Sequence, residues 1–251
     1  MNTIASEKGY SILEVLISAA LGVIVLAGAF DVYISSTKSI MGQANIVQMQ
    51  ADTKAAMDNM VAELRMAYTG STTLAAAIVA SNTITFYRTV ESGYATSGTT
   101  TTLTSTGKSW ATNKFASTSA GTYFLFIKTG GGSGQVSPAT IQSNTSNTLT
   151  VTPALATAPG TDSLFFIVRQ KTFTLLGDMT VRSLITGGNK YHLLAKNVTE
   201  LSFSVNPLSP PNMGCSATSV CITLSARSKD LDPRTKQYRT YSLTSIAMPR
   251  N

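Results

Sequence analysis

The hydrophobic pattern of the N-terminal region changes from continuous to periodic. Between residues 10 and 34 the chain is almost entirely apolar, and its only charged residues are Glu14 and Asp31. About 20 apolar residues in a helix cross the core of a bilayer, so this segment is predicted to be a membrane-spanning helix. Over residues 35–69 apolar side chains recur every three or four positions, which predicts an amphipathic helix with one buried face.

The two segments are predicted to form one continuous helix. No proline occurs before Leu74, and the Gly70-Ser71 pair is the first signal that would end a helix. Such a helix would contain about 60 residues and would be about 85 Å long. A soluble domain rarely contains a helix of this length.

The remaining residues, 70–251, are predicted to be rich in β-structure. Short apolar or alternating runs are separated by Gly, Pro and Asn, which is typical of antiparallel sheets. The predicted strands are residues 83–88, 123–128, 148–152, 163–168, 171–175, 190–194, 198–205, 220–226 and 238–247. A long helix followed by many strands indicates an α+β fold.

The residues before the apolar run form a short polar leader that ends in Lys8-Gly9. A secretory signal is cleaved after its apolar region, but no such site follows residue 34. Lys8 favours a cytoplasmic N-terminus, which would place the rest of the chain on the other side of the membrane. An uncleaved signal anchor is the alternative, but it gives no reason for Glu14, because a carboxylate inside a membrane segment is costly and usually functional.

The sequence from Lys8 to Glu14, Lys-Gly-Tyr-Ser-Ile-Leu-Glu, resembles the N-terminus of type IV pilins and pseudopilins. The resemblance implies that a prepilin peptidase cuts between Gly9 and Tyr10 and methylates the new amine of Tyr10. Residues 1–9 would then be the leader, and Glu14 would be the acidic residue five positions into the mature chain. Because opposite charges attract strongly at low dielectric, Glu14 would pair with the N-terminal amine of its own or a neighbouring subunit.

Two looser motifs, residues 193–203 and the tail from Arg239 to Asn251, resemble those of PilW-like minor pilins and J-type minor pseudopilins. The resemblance implies a minor subunit of a type IV pilus that acts in the priming or tip complex during pilus assembly. It would be anchored in the bacterial inner membrane with its globular domain in the periplasm and later be exposed on the pilus. Its partners would be prepilin peptidase, the other minor pilins, the major pilin and the inner-membrane assembly platform. A J-type pseudopilin of a type II secretion system is the alternative.

The stretch from Trp110 to Val168 resembles a small β module of phage-like and surface proteins. It is interpreted as an insertion at about residues 107–168 within the β-rich pilin domain, residues 70–251. A module of this kind would decorate the pilin sheet and is expected to be exposed, where it could make contacts.

The chain has two cysteines, Cys215 and Cys221, close to a proline-rich stretch at residues 206–211. Outside the inner membrane the environment is oxidising, and an even number of cysteines fits a disulfide. We therefore predict a Cys215–Cys221 bond. The alternative, two free thiols, requires a reducing compartment that the predicted membrane topology argues against.

Enzyme chemistry has little support in the sequence. His192 is the only histidine and no G-x-S-x-G motif is present, so His192 is expected on the surface or at a sheet edge. One histidine and two cysteines make a zinc site improbable, and residues 130–134 lack the lysine of a phosphate-binding loop. Neither a cofactor nor a metal nor a small-molecule substrate is expected; a membrane-tethered hydrolase or binding module is the third hypothesis.

The C-terminal hairpin carries a cluster of charged residues. Asp230 and Asp232 are predicted to form an Asp-Pro turn rather than a calcium site, since calcium needs six or more oxygen ligands. The net charge is +7, and five basic residues cluster here: Arg227, Lys229, Arg234, Lys236 and Arg239. Because few aromatic residues accompany them, a solubilising edge is favoured over a nucleic-acid surface.

Overall fold

The N-terminal part of the protein is a single helix, α1 (Ile12–Arg65), of 54 residues. The structure is a computed structural model that describes residues 11–68, 78–116, 121–133, 138–188, 191–204, 219–233 and 235–249. At about 1.5 Å per residue α1 is about 80 Å long. Ser11 caps its N-terminus by accepting a hydrogen bond from the Leu13 N–H. The prediction of one long N-terminal helix is thus confirmed.

The helix ends earlier than the expected residue 69 because the following residues join a sheet. The Tyr68 N–H donates to the Tyr87 carbonyl at 2.6 Å, and the Thr89 N–H donates to the Met66 carbonyl at 2.9 Å. Ala67 forms a β-bridge with Arg88. Tyr68 also stacks against two aromatic rings of the sheet, with centroids 4.7 Å from Phe126 and 4.9 Å from Phe166. These contacts fix the end of α1 to the body.

Thirteen strands follow the helix in the described part of the chain. They are β1 (Ile78–Ala80), β2 (Thr83–Tyr94), β3 (Ser97–Thr99), β4 (Thr102–Thr104), β5 (Tyr123–Thr129), β6 (Ala139–Asn144), β7 (Thr148–Thr152), β8 (Leu164–Leu175), β9 (Val181–Ile185), β10 (Tyr191–Ala195), β11 (Val198–Ser204), β12 (Val220–Arg227) and β13 (Thr240–Ala247).

The strands form two antiparallel sheets. The larger sheet has ten strands in the order β1-β2-β8-β5-β6-β7-β4-β3, with the β9–β10 hairpin joined to β8. The smaller sheet has the order β11-β12-β13. One long helix and antiparallel sheets make an α+β architecture, as the sequence predicts.

The C-terminal half of α1 packs into a core that both sheets share. From the helix, Met57, Met60 and Leu64 are at most 1% exposed. They belong to one apolar cluster with residues of both sheets: Ile84 and Phe173 from the larger sheet, and Phe203, Ile222 and Leu224 from the smaller one. The helix is therefore held by its apolar face, as the helical periodicity of residues 35–69 predicts.

A second core lies at the other end of the larger sheet. It is built from aromatic and aliphatic residues of β4–β8 and the intervening loops: Leu103, Trp110, Phe115, Leu125, Ile127, Ile141, Leu149, Val151, Leu155, Phe165 and Ile167. The strand β8 contributes Phe165 and Ile167 to this core and Phe173 to the helix core. The two cores are therefore joined by a continuous strand.

The strand β8 corrects one sequence prediction, since residues 163–168 and 171–175 were expected to be separate strands. The polar residues between them belong to the same strand, and the charge of Lys171 has a partner: its Nζ lies 3.0 Å from Glu63 Oε1 on α1. Arg88 Nε of β2 lies 2.9 Å from Glu63 Oε2, an ion-pair contact without the alignment of a hydrogen bond. Glu63 on the helix thus pairs with one basic residue of β8 and one of β2. The strand β8 is continuous because Arg169 and Gln170 stay paired with β2.

Candidate membrane and assembly site

The N-terminal half of α1 projects from the body with its apolar surface uncovered. Every residue from 11 to 36 is exposed, and the buried positions of the helix begin at Met49. The most apolar 18-residue window has a mean hydropathy of 2.4 and no buried part, so the helix is long and apolar enough to cross a membrane. An apolar surface of this extent indicates a membrane or a partner as its natural cover.

Glu14 lies in the first turn of α1 and is exposed. Its N–H donates to the Ser11 carbonyl at 2.9 Å, and its own carbonyl accepts from Ser18 Oγ at 2.7 Å. A carboxylate is favourable at this end of a helix because the backbone N–H groups there carry partial positive charge. Gly9 and Tyr10 lie outside the described residues, so their cleavage, the methylation and the charge pair remain predictions.

The exposed half of α1 carries small residues that leave room for close approach. A Cβ atom added at Gly22 or at Gly28 would meet nothing within 4 Å. Ser18 and Gly22 are four residues apart, a spacing that lets helices pack closely in membranes. The side of α1 that carries Ser18 and Gly22 is therefore open to another helix.

The loop between β12 and β13 reaches the middle of α1. Asn45 Nδ2 donates to Asp230 Oδ2 at 3.2 Å. Between helix and loop lies a groove of about 550 Å³, which six residues of one helix face line: Ser35, Lys38, Ser39, Gly42, Gln43 and Ile46. Asp232, Pro233 and Arg239 line it from the loop.

Asp232 organises this loop. Its carboxylate accepts hydrogen bonds from the Thr235 N–H at 3.0 Å and from Arg239 Nε at 2.8 Å. Its carbonyl accepts from the Lys236 N–H at 2.8 Å. Both acidic residues of the expected Asp-Pro turn therefore make structural contacts: Asp232 within the loop, and Asp230 with Asn45 of α1. No cluster of three or more metal-ligating side chains occurs within the described ranges.

Neither His192 nor Cys221 lines the groove. His192 is exposed on β10, which pairs with β9 alone among the described strands, so it lies on the surface at a sheet edge as expected. Cys221, the second residue of β12, is 6% exposed and is not a free thiol. Cys215 lies outside the described residues, so its pairing with Cys221 remains a prediction.

The predicted disulfide should be seen directly by peptide mapping of the protein without reduction, as a linked pair of peptides containing Cys215 and Cys221. Removing it with Cys215→Ala and Cys221→Ala together should lower the free energy of unfolding by about 2 kcal/mol, the entropic effect expected for a loop of about seven residues. Two alkylatable thiols in the native protein would refute the bond.

A polar cluster that the sequence analysis did not identify surrounds Glu91 beside the second core. Glu91 Oε1 accepts from Trp110 Nε1 at 2.9 Å and lies 3.0 Å from Lys108 Nζ, and Lys114 Nζ is 3.8 Å from Oε2. Burial by itself raises the pKa of Glu91, but the hydrogen bonds from Trp110 and Lys108 and the two lysine charges together lower it below its ordinary value. No local sequence pattern indicates this cluster, because the partners of Glu91 lie 17 or more residues away in the chain.

Glu91 should make the stability of the protein depend on pH. Its folded pKa is depressed, so the stabilisation is present above the unfolded pKa of about 4.3 and is lost as pH falls through the folded value. Glu91→Gln should therefore destabilise the protein at pH 7 and by much less at pH 3, measured by urea unfolding. The control is Asp58→Asn, at an exposed position of α1, where no such difference between the two pH values is expected. An equal effect of Glu91→Gln at both pH values would contradict the assignment.

Comparisons with models of protein families, with curated proteins and with solved structures found no match to this chain. The exposed apolar half of α1, the acidic residue near its start and the sheets that hold its other half are the features from which a function can be inferred.

Proposed function

We propose that the protein is a minor structural subunit of a type IV pilus. It is made with the leader 1–9, cut by prepilin peptidase between Gly9 and Tyr10, methylated at Tyr10 and held in the inner membrane with its body in the periplasm. The observation that supports this proposal is the division of α1 into an exposed apolar half and a half buried against antiparallel sheet. A single helix of this kind anchors the subunit in lipid and later packs among the helices of a filament.

The exposed half of α1 is compatible both with lipid and with the helices of a filament. Its apolar side chains are as compatible with lipid as with neighbouring helices, and the small residues around Gly22 favour close helix contacts over purely lipid-facing filler. Glu14 supplies the polar interaction, because a carboxylate and an N-terminal amine relieve each other's desolvation when they meet. The partners are then the major pilin, the other minor pilins and the inner-membrane assembly platform, with no role for nucleic acid or a small-molecule substrate.

The proposal is tested by following the protein in cells that make surface filaments. We expect the tagged protein in sheared, purified filaments or in complexes with other minor pilins, and fewer filaments when its gene is deleted. Normal filaments together with a loss of protein secretion would instead indicate a J-type pseudopilin. Recovery in the membrane alone, with filaments and secretion both unchanged by the deletion, would refute both and leave a membrane-tethered binding module or hydrolase.

A further inference from the structure

The groove between α1 and the β12–β13 loop has the position and the charge to hold part of a membrane lipid. We propose that it binds the phosphate headgroup of an anionic phospholipid from the membrane that α1 crosses. The inference rests on the membrane insertion of α1 that belongs to the proposed function, but it does not depend on assembly into a filament.

The position of the groove relative to the membrane follows from helical geometry. Residues 12–34 span about 34 Å as a helix, close to the thickness of about 30 Å of a bilayer core. Lys38 lies about 6 Å beyond Ile34 along the helix and Gly42 about 12 Å beyond it. The headgroup layer occupies about 5–8 Å on each side of the bilayer core. The end of the groove at Lys38 therefore lies at the level of the headgroups.

The charges around the groove favour an anion. Lys38 and Arg239 line it together with one acidic residue, Asp232. Asp232 is engaged by Arg239, whose Nη2 lies 2.6 Å from its Oδ2, while the arginine side chain remains 54% exposed. Lys38 is exposed, and no salt bridge among the described residues involves it. The lining thus leaves one unneutralised lysine and the remaining donors of an arginine for a phosphate.

The β12–β13 loop carries further positive charge. Lys229 and Lys236 are exposed on this loop. Arg227, where β12 ends and the loop begins, lies over the Tyr238 ring at 4.3 Å from its centroid. Two acidic residues face the region: Asp230, which accepts from Asn45, and Asp31 on the helix. Asp31 lies about 10 Å from Lys38 towards the apolar end, so it would repel a phosphate placed deeper than Lys38. The headgroup is therefore expected beside Lys38.

The groove is a built feature of the fold, because both of its walls are fixed. The loop wall is held by Asp232 and by Ser228, whose Oγ donates to the Asp230 carbonyl at 2.8 Å. The helix wall leaves space for a ligand because Gly42 has no side chain. A Cβ atom added at Gly42 would lie 3.9 Å from Pro233 Cδ, so a larger side chain would project into the groove. Its volume of about 550 Å³ lies within the range of about 300–1,000 Å³ for ligand sites.

The test uses the full-length protein in vesicles made of equal parts phosphatidylglycerol and phosphatidylcholine. After mild detergent extraction, native mass spectrometry counts the lipids that remain bound. We expect enrichment of phosphatidylglycerol on the wild type. Lys38→Gln should reduce the enrichment about fivefold, the effect of one basic residue near an anionic surface. Gly42→Leu should abolish it by filling the groove. The matched control is Lys54→Gln, an exposed lysine on the same helix about 24 Å farther from the membrane.

Three results would overturn the lipid site: no preference for phosphatidylglycerol, equal losses for Lys38→Gln and Lys54→Gln, or displacement of the lipid by millimolar inorganic phosphate, which would indicate a site for free phosphate. Carbonate washing of the vesicles separates this failure from failure of the proposed function. A wild-type protein that washes off is not membrane-anchored at all, whereas one that stays without lipid preference refutes only the lipid site.

Discussion

Leu64→Ala is expected to lower the free energy of unfolding by about 2–5 kcal/mol, the range for removing a fully buried leucine side chain. Leu64 is 0% exposed and lies where the last turns of α1 meet both sheets. The cavity cannot be filled easily, because the adjacent Glu63 ties this turn to Arg88 and Lys171. The measurement is urea unfolding of the full-length protein in detergent, followed by far-ultraviolet circular dichroism.

The control for Leu64→Ala is Val47→Ala on the same helix. Val47 is 64% exposed, so its truncation should change the free energy of unfolding by no more than about 0.5 kcal/mol. Similar effects of the two substitutions would show that the C-terminal half of α1 is not packed between the sheets, and the division of the helix into two functional halves would fail with it.

Glu14→Ala is expected to be cleaved normally but to assemble poorly. The scissile bond between Gly9 and Tyr10 is intact in this variant, so the peptidase should still remove the leader. The new amine of Tyr10 would then lack its partner in an apolar helix bundle, and breaking a buried ion pair costs about 3–5 kcal/mol. Recovery of the variant with sheared filaments or with partner minor pilins should fall to a small fraction of wild type.

Asp31→Asn is the matched control for Glu14→Ala, because Asp31 is the other acidic residue of the apolar run. It lies at the opposite end of that run and should be recovered as well as wild type. A subunit at the tip of a filament has no neighbour above it, so complexes with partner minor pilins are measured as well as filaments. Full recovery of cleaved Glu14→Ala in both would refute the charge pair.

The helix could be predicted from the sequence because its signals are local. An unbroken apolar run followed by helical periodicity determines both halves of α1, and Ser11 is a favourable capping residue. The end of the helix was placed four residues too late. Its true end depends on Met66 and Tyr68 pairing with β2, a tertiary interaction that propensity does not encode.

The predicted strands carry short apolar or alternating runs of their own. Five strands escaped prediction, β1, β3, β4, β6 and β9. The short strands β3 and β4 are Ser-Gly-Thr and Thr-Leu-Thr, whose composition is that of a loop. They form because β4 pairs with β7 and buries Leu103 in the second core. A strand of three residues carries too little pattern of its own, so its partner decides its structure.

The candidate site was only partly accessible to sequence reasoning. Glu14 was identified from its position inside an apolar run, which is a local feature. The groove forms where the β12–β13 loop meets α1, and Asn45 and Asp230, which connect the two by a hydrogen bond, are 185 positions apart, so no spacing could indicate it. The sequence predicts that the basic cluster of the C-terminal hairpin is a solubilising edge; in the structure one of its residues, Arg239, lines the groove together with Lys38.

The most direct test of a pilin-like subunit is the mass and sequence of the mature N-terminus, determined on protein extracted from membranes of a cell that contains prepilin peptidase. We expect a chain that begins at Tyr10 with one methyl group on its amine, and a chain that retains residues 1–9 when the peptidase gene is deleted. A mature chain that begins at Met1 in both cells, or one cut after the apolar run near residue 34, would contradict the proposed function.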